Sequence, residues 1–585
     1  MAQQFDVVIV GASFGGLAAA LAAASDSKVS VVLIEASTWI GGQATAQGVT
    51  RWDEAGMEFM ESTGSTRSYR ALRDAIRTWY RTNAPLSAFG TSQRFFNPGF
   101  ARPNYPFAAD PSVVQIVLRD LVARSPKLTL RTGESIVSAA VANGSVQSIT
   151  TSTGQTYTAR VFLDATDLGD VLPHLGIAWN IGAEAHADTQ EPDAPAQPHP
   201  EWIQPVTVPI AIEHRPSGEN HTIAKPANFD DIARKQNFRL VDGDINGVFR
   251  PLPGGAESLF GYRQYVDARN FGGGDYATDR TTLNVGSNDY MDATLPTGSA
   301  QGDADVYAGA RDASLAYLYW LQTRVSRDDG NGTGYPNLMP RKDAFGTNDG
   351  CAPQAYIRES RRIVSEVRIV QQDIDKSAFP PGSTRGTRFA DSCGIGWYGI
   401  DIHAAQGPGT PWLGFETLRF QIPLGALLSK ELDNFVASCK NIGTTHLTSG
   451  AYRVHPVEWA IGEAAGVLAA MSVTQNVTPR VLWNRDDRLA SYQSRLLARG
   501  VPIFWWSDVL FEDDPRAFAA AHVCGARGIF FGAGDLRFVP SGIVSGDVEQ
   551  TLNVRLGRDL TWPSGSMTRA QAAVFICEQM GWPIG

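Results

Sequence analysis

Phe5-Asp6-Val7-Val8-Ile9-Val10-Gly11-Ala12-Ser13-Phe14-Gly15-Gly16 opens the chain, and its reading decides the fold. Phe5 to Val10 is a short apolar run with β-branched side chains, the pattern of a buried strand. Gly11 to Gly16 follows as a turn. Leu17 to Ala24 is alanine-rich and predicts a helix. Val29 to Ile34 is a second apolar strand, and it ends in Glu35. The result is a βαβ unit with a glycine turn at its first strand-to-helix junction and an acid at the end of its second strand. Such a unit suits a dinucleotide. Gly11 permits the tight turn, and Gly16 lets helix and strand pack closely. The free N–H groups of the helix start meet a pyrophosphate, and Glu35 accepts ribose hydroxyls. The middle glycine of the G-x-G-x-x-G fingerprint is replaced by Ser13. Its side chain is small and its hydroxyl can donate to a phosphate oxygen, so the site reads as altered rather than lost. Phe14 and Gly15 belong to the same candidate turn.

Outward from this unit comes Glu35-Ala36-Ser37-Thr38-Trp39-Ile40-Gly41-Gly42-Gln43-Ala44-Thr45-Ala46. Here the chain resembles the FAD-dependent oxidoreductases of the glutathione-reductase type. In that superfamily an acid at the end of the second strand is followed by a Gly-Gly pair that passes close to the flavin. The resemblance implies FAD rather than NAD, and it places Ala36, Gly41, Gly42, Gln43, Ala44 and Thr45 at the cofactor. Leu128 to Leu163 alternates between short apolar runs and Gly-containing turns, which predicts a small antiparallel meander. Asp164-Ala165-Thr166-Asp167 closes it and resembles the strand that returns to FAD, with Ala165 and Thr166 at the cofactor. The family's usual glycine after Ala-Thr is Asp167 here. By the same resemblance Ile136 lies where a backbone group meets the adenine.

Bulk properties narrow the function classes. A chain of 585 residues is too long for one core. Net charge is −10 and no long basic run is present, which argues against nucleic acid and anionic membrane surfaces as partners. Five scattered cysteines, never in a C-x-x-C pair, offer neither a disulfide framework nor a structural metal set. Reduced thiols in a cytoplasmic protein are the simplest reading. No basic leader precedes the first strand, and no run of eighteen apolar residues suggests a membrane span.

The middle of the chain carries the chemistry. Gly182 to Arg215 holds Glu184, Glu191, His186 and His199 among prolines and turns. A metal site is conceivable there, but irregular spacing favours a solvated loop, and no metal is expected. Val206 to Ile212 reads as a strand, and Ala304 to Arg327 as a helix whose aromatics serve the core. Arg358-Glu359-Ser360-Arg361-Arg362-Ile363-Val364 resembles a signature of the family labelled FAD-dependent oxidoreductase, some of whose members carry a xanthan-lyase label. On a strand, Arg358 and Arg362 would share one face and Glu359 and Arg361 the other. Arg358 is a candidate for flavin or substrate contact, and a surface ion-pair cluster is the alternative.

Tyr398-Gly399-Ile400-Asp401-Ile402-His403 places a carboxylate and an imidazole two residues apart on one strand face. His403 is the candidate base for a substrate hydroxyl or amine, with Asp401 to orient it. Tyr398 and His446 join the candidate catalytic set. Phe435 to Gly443 resembles the strand and second flavin-side turn of the superfamily, with Gly443 at the cofactor. The last part of Tyr452 to Gly466, with Pro456 in its first turn, predicts a helix whose N-terminus, by the same resemblance, faces the flavin pyrimidine, with Arg453 and His455 at that end. His455 would stabilise the flavin, act on substrate or link covalently to the flavin, the first being preferred. Residues 481–585 weakly resemble an S-layer homology repeat through Phe504-Trp505-Trp506 and Ser566 to Ala573. The plainer reading is a helical cap or an oligomer interface.

The expected fold is α/β. A discontinuous Rossmann-like FAD-binding domain (1–50, 120–175, 435–480) joins a mixed α+β substrate domain (51–119, 176–434) and a small, mostly helical C-terminal appendage (481–585). The expected function is hydride transfer from an alcohol or amine C–H of a small-molecule substrate to FAD. A flavin-bound lyase or isomerase and a non-catalytic wall-binding scaffold are the alternatives.

Overall fold

The computed structural model describes residues 2–102, 104–240, 247–250, 257–404, 410, 412–531 and 534–585. The dinucleotide unit forms β1 (Val7–Val10), α1 (Phe14–Ala24) and β2 (Val31–Glu35). β3 (Leu128–Thr132), β4 (Val161–Asp164) and β5 (Phe435–Ala437) join them from distant sequence. The five strands make one parallel sheet in the order β5-β4-β1-β2-β3. β1 is wholly buried, as a parallel sheet covered on both faces requires. Val10 pairs with Ile34 on one side and Asp164 on the other. This register brings Gly11, Glu35 and Ala165 to the same carboxyl edge, where ligands bind in such sheets.

α1 begins at Phe14, three residues before the alanine run, because Ser13 caps it by accepting the Gly16 N–H at 3.1 Å. α2 (His455–Gln475) crosses α1 with no side chains between the backbones. A Cβ on Gly462 would fall 1.9 Å from the Gly15 carbonyl oxygen, and one on Gly466 would fall 2.2 Å from that of Ala19. By length and mean hydropathy α2 is apolar enough to cross a membrane, although it contains no unbroken run of eighteen apolar residues. It is buried inside the fold over 94% of that window, and its buried Glu458 and Glu463 are satisfied there by Gln43 and Ser68.

The meander forms as Ile136–Ala142, Ser145–Thr151 and Thr156–Thr158, all antiparallel. A second body is built on a four-stranded antiparallel sheet in the order Gln264–Val266, Arg280–Leu283, Ile210–His214, Leu338–Pro340. Helix Ala300–Thr323 starts four residues earlier than periodicity suggests, since Ser299 caps it. Its Tyr317, Leu318 and Leu321 pack with Val208, Ile210 and Leu283 in a core of their own. The strand expected at Val206 to Ile212 is displaced to Ile210–His214, with only isolated bridges at Val206 and Thr207.

The C-terminal segment contains helices Asp486–Leu497, Pro515–Ala526, Asp547–Leu556 and Arg569–Met580. It docks on the rest through buried tryptophan and polar anchors. Trp505 Nε1 donates to the Phe420 carbonyl at 2.8 Å, Gln421 Nε2 to that of Ile503 at 2.6 Å, and the Tyr492 hydroxyl to that of Ala464 at 2.8 Å.

Candidate active site

A cleft with about 1830 Å³ of atom-free space opens at the carboxyl edge of the parallel sheet, lined by Gly11, Glu35, Ala36, Ile136 and Thr166. Gly11 has φ +95°, and a Cβ there would lie 2.4 Å from the Ala165 carbonyl and the Thr166 nitrogen. Gly16 is equally constrained, its Cβ position falling 2.0 Å from the Gly11 carbonyl oxygen. The Glu35 carboxylate accepts the Ala12 N–H at 2.8 Å and the Ser37 N–H at 2.9 Å. Burial raises its pKa despite those bonds. Each oxygen keeps a lone pair for a hydroxyl donor. Gly41 and Gly42 have φ +107° and +50°, and Gln43 Nε2 reaches the Arg453 carbonyl at 3.0 Å and the Glu458 carboxylate. This ties the Gly-Gly turn to the start of α2. Gln43 Oε1 is buried without a partner. The cleft, the two glycine turns and the open Glu35 lone pairs are a cradle suited to FAD.

Several predicted residues take other places. Ser13 is buried and its hydroxyl oxygen serves the helix cap. Phe14 packs in an aromatic cluster with Trp52, Tyr69 and Trp459. Gly15 is needed for the crossing with α2, and its N–H donates to Glu458 at 3.1 Å. Ala44 is buried, and the Thr45 hydroxyl donates to the Ile40 carbonyl at 2.6 Å. Gly443 makes room for Ser365, whose Oγ lies 1.7 Å from the Cβ position. Asp167, the departure from the family's glycine, pairs with Lys440 beside Gly42. Asp167, Cys439 and Glu458 are the one metal-like grouping among the described residues, and the Lys440 ammonium already lies 3.7 Å from Glu458.

Residues 354–358 separate the cleft from a second set of groups. Gln354, Ala355 and Ile357 line the cleft. Tyr356 and Arg358 instead join a closed circuit of charges. Asp289 lies 2.5 Å from His403 Nδ1 and accepts from Arg358 Nη2 at 2.9 Å. His403 Nε2 lies 3.6 Å from Asp401, which accepts from Arg453 Nη2 at 3.0 Å. Arg453 Nη1 donates to the Tyr356 hydroxyl at 2.5 Å, and the Tyr356 ring lies 4.7 Å from the Arg358 guanidinium carbon. Burial opposes the charge on Asp289, but Arg358 and His403 hold its pKa at about 2. Burial and Arg358 disfavour imidazolium at His403, yet Asp289 and Asp401 outweigh them and raise its pKa above the ordinary value. Asp401, expected to orient His403, is the weaker of its two partners. Asp289 went unforeseen because nothing local marks it.

His446 and His403 line one narrow pocket with Glu184, Glu191 and Trp202. His446 Nδ1 lies 3.0 Å from both Glu359 oxygens, and its backbone N–H donates to Glu184 at 2.8 Å. Burial works against the Glu359 charge, but His446 and Arg362 hold its pKa at about 2. The solvated-loop reading of 182–215 is therefore corrected for Glu184 and Glu191, which are buried against Arg362 and Thr445. The strand reading of 358–362 is corrected too. Only Arg362–Ile363 is strand, and Glu359 pairs with Arg362 instead of facing away from it. The cluster is buried, not superficial.

His455 is the first residue of α2 and is enclosed by Trp52, stacked at 5.6 Å, and Phe14. Its Nδ1 accepts the Asp53 N–H at 3.1 Å, and burial pushes its pKa down to about 3. The ring is neutral, with its proton on Nε2, a buried donor without a partner. Asp53 and burial hold the Tyr398 phenol well above its usual range, so it remains protonated.

Residues 6–496 match the model of the family described as FAD dependent oxidoreductase. The chain belongs to that family and is an FAD-dependent enzyme; the match runs into the C-terminal segment and ends within its helix Asp486–Leu497. No curated protein matches it. Among solved structures it is similar to L-proline dehydrogenase from P. horikoshii, at 15% identity over 28% of this chain and 22% of that one, with a TM-score of 0.16. It is similar to p-nitrophenol 4-monooxygenase PnpA from Pseudomonas putida DLL-E4, at 14% identity over 36% and 47% with a TM-score of 0.22. A flavin-containing monooxygenase from Stenotrophomonas maltophilia gives 16% identity over 28% and 39%, with a TM-score of 0.17. The chain thus spans under half the length of each, and these likenesses carry no argument about its substrate.

Proposed function

We propose that this enzyme oxidises a small-molecule alcohol or amine, with His403 taking the proton from the substrate O–H or N–H. The FAD held by the cleft supplies a hydride acceptor. Asp289 fixes the His403 ring through Nδ1, which leaves Nε2 to receive the proton. The imidazolium so formed lies between Asp289 and Asp401, and both carboxylates stabilise it. Arg358 and Arg453 keep those carboxylates ionised and in place. The Asp289–His403–Asp401 array, one extended segment away from the cofactor cleft, carries this reading. Five buried free cysteines support a reducing, cytoplasmic setting. His403→Gln tests the assignment: substrate-driven flavin reduction should slow by about 10²–10⁴-fold while the flavin stays bound. Reduction at the wild-type rate would refute it.

A further inference from the structure

Most deeply buried arginines here have a carboxylate: Arg73 has Glu54, Arg263 has Asp53, Arg358 has Asp289 and Arg362 has Glu184. Around one cavity, the half-buried Arg385 and Arg419 and the exposed Arg388 have no ion pair among the described residues. Arg385, Arg388 and Arg419 line an open cavity of about 240 Å³ between the 383–388 segment, the strand at Phe420–Pro423 and the C-terminal cap. Trp505 and Phe531 of the cap complete its wall, with Ser383 and Thr384 from the body. Arg385 and Arg419 are bridge partners on adjacent segments, like charges side by side. The carboxylates nearest in effect to Arg385, Asp508 and Asp535, are committed elsewhere. Asp508 accepts the Phe538 and Val539 N–H groups, and Asp535 pairs with Arg537.

Hydrogen bonding leaves these cations with donors to spare. Arg385 gives Nε and Nη2 to the Trp505 carbonyl, at 3.0 and 2.7 Å, and Nη1 to that of Phe531 at 3.2 Å. Nη1 also reaches Thr384 Oγ1 at 3.5 Å, and one of its five N–H groups remains. Arg419 lies 4.1 Å over the Trp397 ring, and its Nε is buried without a partner. Burial lowers the pKa of both. A chain with net charge −10 has carboxylates available, yet none of the described ones lines this cavity.

We propose that this cavity is a phosphate-class anion site, completed by the cap and separate from the flavin cleft. Three guanidinium groups at one cavity, two of them half-buried and none paired with a carboxylate among the described residues, suit more than one negative charge, and a phosphate supplies about −1.5 to −2 with oxygens that guanidinium forks match. The space exceeds a bare phosphate, and the half-exposed Phe531 offers a face for a small attached group. The source is therefore free phosphate or a phosphoester.

The test is calorimetric titration of the full-length flavin-loaded protein with inorganic phosphate and with glucose 6-phosphate, against chloride at matched ionic strength. Saturable binding is expected. Tighter binding of the ester would assign a phosphoester, and equal binding would assign free phosphate. Arg419→Gln should weaken either ligand at least about tenfold without lowering the unliganded melting temperature, because it removes an unpaired cation and breaks no hydrogen bond. Arg388→Gln gives an independent variant with the same expectation for affinity. Absence of saturable binding, or unchanged affinity in both variants, would overturn the proposal.

Discussion

Asp289→Asn isolates the electrostatics of the proposed base. Asn keeps the shape and one acceptor oxygen but removes the charge 2.5 Å from His403 Nδ1. With charge centres about 4 Å apart and an effective dielectric near 20, the lost attraction is about 4 kcal/mol, an upper bound of about 3 pK units. Asp401 at 3.6 Å from Nε2 remains, while Arg358 loses its carboxylate partner and repels the imidazolium more strongly. A fall of about 2 units in the His403 pKa is therefore expected. The assay is anaerobic flavin reduction by a saturating substrate between pH 5 and pH 10. In the wild type the rate should rise with pH through the raised His403 pKa, because only the neutral ring accepts a proton. In Asp289→Asn the same limb should move to lower pH, with flavin still bound. A profile unmoved in a folded, flavin-loaded variant would refute the assignment of His403 as base. A stability loss of about 3–5 kcal/mol is expected as well, since Arg358 is left buried without its partner.

Other outcomes follow from the same geometry. Glu35→Ala should weaken FAD about 10–100-fold, the value of charge-assisted hydrogen bonds to the ribose, measured by equilibrium flavin release. Gly16→Ala should yield a poorly folded, flavin-free protein by absorbance and circular dichroism, since its Cβ would meet the Gly11 carbonyl oxygen at 2.0 Å. His446→Gln should slow flavin reduction less than His403→Gln does, because Glu359 keeps Arg362 and the pocket wall intact. Thermal melts should show stability falling as pH drops below about 6.5, where unfolded His455 and His522 take up protons that their folded forms, with pKa about 3, refuse. A second loss should follow from about pH 4.5 toward 2, as Asp289 and Glu359 are protonated. His403 acts with the opposite sign: its contribution is complete below about pH 6.5 and is lost as pH rises through its folded pKa.

The nucleotide unit was legible because its determinants are local. Gly11, Gly16 and Glu35 lie within one βαβ stretch, and each is constrained by a neighbour that the motif itself supplies. The charge circuit was only half legible. Asp401 and His403 share a strand, so their proximity follows from alternation. Asp289 is 114 residues from His403 and 69 from Arg358, on an aperiodic stretch, and only the fold brings the three together. The arginine signature is legible as a motif but not as a strand, since its pattern answers to buried acids from other segments. Glu184 and Glu191 looked solvated for the same reason: a turn-rich composition does not reveal that Arg362 and Thr445 cover it.

The central claim is that the enzyme removes a hydride from an alcohol or amine while His403 takes the proton. The most direct test is the visible spectrum of the purified protein, followed anaerobically as a panel of alcohols, amines and sugars is added to the wild type and to His403→Gln. The account predicts a yellow protein bleached by one of these substrates, with bleaching slowed by about 10²–10⁴-fold in the variant. A yellow protein that converts one of them with its flavin still oxidised and no net redox change would contradict it.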